Sequence, residues 1–141
     1  MRYAASLVLL AFAAAVQAGP ALRVSDAWVR AIPGADVAAV YFVLHNAGPA
    51  AVTLRAVHSP VAGGAMVHET RLTNGQAQMR PRDSVTVAPG ASATFSPGAL
   101  HVMLTQLRGP LAVGTRVPLV LEFEGGERLE TFATVRAPGA E

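Results

Sequence analysis

The chain has 141 residues and a formal net charge of +2, and it contains no cysteine. Once a targeting segment is set aside, this length is enough for one domain with a hydrophobic core but not for two. The weak charge offers no electrostatic basis for binding nucleic acid or an anionic membrane, and the lack of cysteine excludes disulfides, thiolate zinc sites, iron–sulfur clusters and a thiol nucleophile.

The first 18 residues have the pattern of a signal peptide. Arg2 forms a short basic start, residues 4–16 are apolar, and Val16-Gln17-Ala18 resembles a cleavage site. A buried helix or a membrane anchor is the alternative, but the apolar run is short and Gly19-Pro20 would end a helix. We expect cleavage after about Ala18, followed by one exported domain over residues 19–141 that lies in an oxidising compartment and does not insert into a membrane.

The mature chain is predicted to be all β-strand. Pairs of glycine and proline mark turns at short intervals, and the runs between them are rich in Val, Leu, Thr, Phe and Tyr. The predicted strands are Leu22–Arg30, Val37–Asn46, Val52–His58, Ala65–Leu72, Gln76–Arg80, Ser84–Val87, Ala91–Phe95, His101–Leu107, Arg116–Phe123 and Arg128–Arg136. Gly63-Gly64 is taken as a turn, and Gly125-Gly126 as the turn of a hairpin.

Many short strands without a helical period indicate an antiparallel two-sheet β-sandwich. The clearest strand is Arg116–Phe123, in which every second residue from Val117 onwards is apolar. Trp28, Tyr41 and Phe42 are predicted to lie in the core of the sandwich. We find no nucleophile elbow, phosphate-binding loop or recognisable pair of carboxylates, so the chain is not predicted to be an enzyme.

Histidine and methionine are the scarce residues that could carry chemistry. His101 and Met103 are two residues apart on a predicted strand and should share one face, about 7 Å apart at Cα. His68 and Met66 share a face of an earlier strand, and Met79 lies on the next strand beyond Asn74-Gly75. A sheet could therefore gather these side chains around one ion.

The ligand types indicate the metal. Thioether sulfur is soft and uncharged, so it favours Cu(I) over Mg²⁺, Ca²⁺ or Zn²⁺. A site made of two methionines and two histidines therefore suggests copper(I). A blue-copper electron carrier would need a cysteine thiolate, which this chain lacks.

The spacing of these residues resembles that of the periplasmic copper-chaperone family PCu(A)C. Its signature is His, ten residues, Met, twenty-one residues, His, one residue, Met, and His68, Met79, His101 and Met103 match it throughout. The resemblance extends over nearly the whole mature chain, from Asp26-Ala27-Trp28-Val29-Arg30 to Pro97-Gly98-Ala99-Leu100-His101.

The resemblance implies a cupredoxin-like Greek-key β-sandwich that binds Cu(I) through His68, Met79, His101 and Met103. It further implies delivery of copper to a copper-accepting subunit of a respiratory oxidase, with a thiol-containing copper chaperone as a second possible partner, or buffering of periplasmic copper. Thr70 stands where many members have a methionine, so Met66 is either a spare sulfur ligand or a core residue.

Two alternatives stand beside this interpretation. A metal-free exported structural or adhesion module would explain the same fold, because architecture does not dictate function. For any one histidine or methionine taken alone, a structural role is also commoner than metal binding. His45 and His58, outside the signature, are assigned structural or solvent-facing roles because each lies close to a turn.

Overall fold

The computed structural model describes residues 21–140, which form ten β-strands and contain no helix. The predicted signal peptide lies outside the described residues, as do residues 19, 20 and 141 of the predicted domain. The strands are β1 (Leu22–Ala31), β2 (Ala38–Asn46), β3 (Val52–His58), β4 (Ala62–Thr73), β5 (Gln76–Pro81), β6 (Val85–Val87), β7 (Ser92–Phe95), β8 (Leu100–Leu107), β9 (Arg116–Phe123) and β10 (Arg128–Arg136).

All ten predicted strands are present, and β4 differs most from its prediction. It begins at Ala62, three residues early, because Gly63 and Gly64 are part of the strand and not a turn. A Cβ on Gly63 would lie 2.5 Å from Oε1 of Gln106, and one on Gly64 would lie 2.6 Å from Oγ1 of Thr105. These glycines therefore let β4 approach the side chains of β8 closely. A glycine within a strand often marks such a close approach.

The strands form one hydrogen-bonded array in the order β5-β4-β8-β7-β2-β1-β10-β9-β3-β6, with β8 also pairing with β2. Most neighbours are antiparallel, as predicted, but β1 pairs with β10 in parallel and β7 with β8 in parallel. The prediction of an all-β fold is confirmed. The turn pattern gave no indication of the two parallel pairings.

The array folds over a single main core. Every strand except β5 contributes buried apolar side chains to one connected cluster, and the residues of β5 are all exposed. Strand β9 shows the predicted alternation, with Val117, Leu119, Leu121 and Phe123 all buried. We call the side of each strand that meets this cluster its inner face and the opposite side its outer face.

Trp28 and Tyr41 correct one prediction, because they are buried outside the main core. Together with Ala39 they form a separate small cluster, whereas Phe42 lies in the main core as predicted. Neighbours in a strand point to opposite sides, so Tyr41 and Phe42 cannot share a face. A bulge between Ser25 and Trp28, with Asp26 at φ 54°, shifts the alternation of β1 by one residue and turns Trp28 to the outer face.

Within residues 21–140, we find no helix with the length and apolar character needed to cross a membrane.

Candidate metal centre

The candidate centre lies on the outer face of β4 and β8. In the antiparallel register, Met66 is opposite Met103 and His68 is opposite His101. Directly paired residues of antiparallel strands point to the same side, with Cβ atoms about 5 Å apart. The intervening Val67 and Val102 are buried in the main core, which puts these four side chains on the outer face.

A tight hairpin brings Met79 to the same face. Asn74 and Gly75 both have positive φ, 51° and 76°, as a two-residue turn of this hand requires. This turn joins β4 to β5 and sets Met79 opposite Thr70, two residues beyond His68 on the same side of β4. The turn chemistry of two residues therefore determines where this thioether lies.

Three of the four predicted ligands line one cavity. Met79, His101 and Met103 border a space of about 240 Å³, together with Arg30, Tyr41 and others. The ring of His68 does not line this cavity, but it packs edge-on against His101, with ring centroids 5.6 Å apart and planes at 86°. The structure thus brings the four residues to one surface, with the two imidazoles in contact.

Each of these histidines has a buried nitrogen without a hydrogen-bond partner. Among the described side chains, Nδ1 of His68 and Nε2 of His101 are the buried nitrogen or oxygen atoms left unsatisfied. The other nitrogen of His101 lies 3.5 Å from the carbonyl oxygen of Ala99, and that of His68 lies 3.3 Å from the sulfur of Met66. A carbonyl oxygen or a thioether sulfur can only accept, so in the neutral form of each ring the unsatisfied nitrogen carries the lone pair.

An unpartnered polar atom in a protein interior is costly, at about 1–3 kcal/mol. Two of them on adjacent strand positions are therefore a marked exception to the general satisfaction of buried polar groups. The environment also favours the neutral form of His101: burial lowers its pKa, and the nearby His68 lowers it further, against the opposite effect of the hydrogen bond to Ala99. Neutral imidazole is the form that binds metals.

The predicted ligands differ greatly in exposure. His101 is only 3% exposed, whereas 61% of Met79 is exposed. His68 and Met103 are intermediate. The group therefore runs from a buried imidazole to a thioether at the edge of the sheet.

Met66 is half exposed, so it is not a core residue. Its sulfur contacts His68, and it faces Met103 across the ladder. The alternation of β4 indicated that Met66 and His68 share a face, but the direct contact between their side chains could not be predicted from spacing alone.

Other metal arrangements find no support among the described residues. No three His, Cys, Asp or Glu side chains of residues 21–140 come close enough to hold an ion. His45 is held between the hydroxyls of Ser25 and Ser92, each at 2.8 Å, and the exposed His58 contacts Glu122 at 3.1 Å. These two histidines have the structural and solvent-facing roles predicted for them.

Residues 22–135 match the family model described as "Putative lipoprotein LpqE-like". Among curated proteins, "Putative lipoprotein Lxx21020" of Leifsonia xyli subsp. xyli (strain CTCB07) is 30% identical over 106 residues, which cover 74% of this chain. The chain spans 63% of the length of that relative.

Solved structures of similar fold include PCuAC domains. The apo PCuAC domain from PmoF1 is 28% identical with a TM-score of 0.71, covering 84% of this chain and 96% of that one. The solution structure of CuI-DR1885 from Deinococcus radiodurans is 32% identical with a TM-score of 0.67, covering 86% and 81%. These likenesses confirm the cupredoxin-like β fold and support a PCuAC-type family. The matched proteins are PCuAC domains and lipoproteins and not enzymes, in agreement with the prediction.

Proposed function

We propose that this chain, which belongs to the LpqE-like family, binds one Cu(I) ion through His68, Met79, His101 and Met103 and passes it to another protein. The copper ion is the cargo of the protein in this proposal. The competing candidate, a metal-free structural module, leaves the two unsatisfied nitrogens without a purpose.

The observation that carries the proposal is the pair of buried, unpartnered nitrogens on His68 and His101. Each ring is oriented by a hydrogen bond from its other nitrogen, as metal-binding histidines usually are. A metal ion supplies the missing partner for both nitrogens at once. The cost of leaving them unsatisfied in the metal-free protein is then offset when copper binds.

The choice of metal follows from what surrounds the imidazoles. No group of three His, Cys, Asp or Glu that could hold a metal is found among the described residues, so methionine is the candidate for the further ligands. Met79 and Met103 line the cavity next to His101, and thioethers favour Cu(I). The copper(I) state named for DR1885, to which this chain is 32% identical, supports the same choice.

The gradient of exposure supports transfer. An acceptor can reach Met79 at the sheet edge first, replace its sulfur, and leave the ion held by the more buried ligands. His101, the most buried ligand, would be released last. Stepwise exchange of this kind avoids a free copper ion at any point.

The acceptor and the location are further parts of the proposal. We place the protein in the periplasm, because the first 18 residues have a signal-peptide pattern and the matched family is described as lipoproteins. There it would deliver Cu(I) to a copper-accepting oxidase subunit, with a thiol-containing copper chaperone as a possible second partner, or buffer copper.

The test is an anaerobic competition titration with a coloured Cu(I) chelator, comparing His68→Gln with His58→Gln. The wild type and the His58→Gln control should each bind one Cu(I) per chain, and His68→Gln should bind at least about tenfold more weakly. Equal affinities for the two variants, or no binding by the wild type, would contradict the proposal. Unfolding of the metal-free proteins in urea checks that both variants fold.

A further inference from the structure

A second group of side chains continues the outer face beyond the candidate copper centre. We call it the arginine–aromatic patch, and it consists of Trp28, Arg30, Tyr41, Arg116, Phe132 and Arg136. Its residues come from β1, β2, β9 and β10, and the register places Trp28 opposite Tyr41 and Arg30 opposite Arg136. Arg116 lies opposite Thr134, the residue between Phe132 and Arg136 on the same face of β10.

The three arginines stack on the three aromatic rings. The guanidinium of Arg30 lies 5.6 Å from the ring centroid of Trp28 and 5.4 Å from that of Tyr41. Arg136 lies 4.8 Å from Trp28, and Arg116 lies 4.3 Å from Phe132. Stacking occupies the flat face of a guanidinium, so on Arg116 and Arg136 it leaves N–H groups at the edge for a bidentate partner.

The patch concentrates positive charge on a chain whose net charge is only +2. Arg30 and Arg136 are direct strand partners, an arrangement of like charges that destabilises a sheet. Neither Arg116 nor Arg136 forms an ion pair with any carboxylate of residues 21–140, whereas Arg55 and Arg128 are paired with glutamates. Repulsion between the like charges of the patch therefore opposes the stabilisation that stacking on the rings supplies.

The patch adjoins the candidate copper centre. Arg30 lines the same cavity as Met79, His101 and Met103, and the ring of Tyr41 lies 6.3 Å from that of His101. A protein that docks on the arginines would therefore present its own groups beside the copper ligands.

We propose that the arginine–aromatic patch is the docking surface for a carboxylate-rich surface of the protein that exchanges copper with this chain, an inference that rests on the proposed function. Arginine and large aromatic residues are the side chains most enriched at protein interfaces. Carboxylates match the fork of a guanidinium in a bidentate pair. Opposite charges also steer a partner towards the site before contact, and this effect weakens with salt.

The chain contains a built-in reporter of this surface, because Trp28 is its only tryptophan and lies between two of the arginines. The experiment titrates the full metal-free chain with a hexaglutamate peptide and follows tryptophan fluorescence. We expect saturable binding that weakens as salt is raised. The double variant Arg116→Gln/Arg136→Gln should bind about tenfold more weakly.

The matched control is Arg55→Gln/Arg128→Gln, which removes the same charge from β3 and from the other end of β10, where both arginines are paired with glutamates, and should bind within about twofold of the wild type. Equal weakening by both double variants, or no binding by the wild type, would overturn the proposal. So would a preference for a short oligothymidylate of equal charge, which would make the patch a nucleic-acid surface.

A parallel Cu(I) titration separates this inference from the proposed function. The patch variant should still bind one Cu(I), because none of the four proposed ligands is changed. A wild type that binds hexaglutamate but no Cu(I) would refute the copper proposal and overturn the partner assignment. A wild type that binds Cu(I) while the patch variant keeps full affinity for the peptide would refute only the docking surface.

Discussion

The inner and outer faces of β4 and β8 are built from alternating residues of the same strands, yet the two faces carry side chains of different chemistry. On the inner face, Val67, Val102 and Leu104 are buried in the main core. On the outer face, the strands carry methionines and histidines, including two buried nitrogens without partners. The inner face thus buries only apolar side chains at these positions, whereas the outer face buries two polar atoms that lack partners.

The contrast shows how a small domain can tolerate a site that lowers its stability. The period of two in a strand lets neighbouring residues serve different purposes without sharing contacts. Unsatisfied groups on the outer face each cost about 1–3 kcal/mol, which the apolar inner face must offset. Substitutions on the inner face should therefore change stability, and those on the outer face should change copper binding.

The largest effect is expected from Leu104→Ala on the inner face. Leu104 is fully buried, and removing its side chain leaves a cavity that lowers the free energy of unfolding by about 3 kcal/mol. Urea unfolding of the metal-free protein measures this loss. The folded variant should still bind one Cu(I), and a loss of copper binding under conditions where it remains folded would break the separation of the faces.

A nearly equal effect of another kind is expected from Met103→Leu on the outer face. Leucine keeps the size of methionine but has no sulfur, so stability should change by less than about 1.5 kcal/mol. The affinity for Cu(I) should fall about a hundredfold, which corresponds to about 2.8 kcal/mol. A chelator competition titration gives the affinity. Unchanged copper binding would show that Met103 is only a packing residue.

The smallest effect is expected from Glu122→Gln, on the outer face of β9. Arg128, and after it His58, lowers the pKa of Glu122 below its ordinary value of 4.5. A lowered pKa in the folded state stabilises the protein above pH 4.5, and this contribution is lost as the pH falls through the folded value. Urea midpoints should therefore differ slightly between wild type and variant at neutral pH and converge in acid. A difference between the two urea midpoints that grows in acid would contradict the predicted direction of the effect.

The fold was largely predictable because its signals are local. Turn residues such as Asn74-Gly75 and the alternation in β9 depend only on neighbours in the chain, and both appear where they were predicted. Gly63-Gly64 was misread because a glycine in a strand has the same sequence signal as a glycine in a turn. Trp28 was assigned to the core because it is a large aromatic residue, and nothing in the sequence indicated the bulge at Asp26 that turns it to the outer face.

The candidate site was predictable only in part. The spacing of His101 and Met103 gave their common face, because the period of a strand requires it. The pairing of His68 with His101 depends on the register of β4 against β8, which joins residues distant in the chain. The stacked arginines were not predicted at all, since several of their contacts join different strands. The contact of Arg136 with Trp28 depends on the parallel pairing of β1 with β10, and that of Arg116 with Phe132 on the pairing of β9 with β10.

The most direct test of the central claim is X-ray absorption at the copper edge of the anaerobically loaded full chain. The technique counts the sulfur and nitrogen neighbours of the ion. The account predicts sulfur from methionine together with nitrogen from both histidines, with the sulfur signal reduced in Met79→Leu. Copper surrounded only by nitrogen and oxygen in the wild type would contradict it.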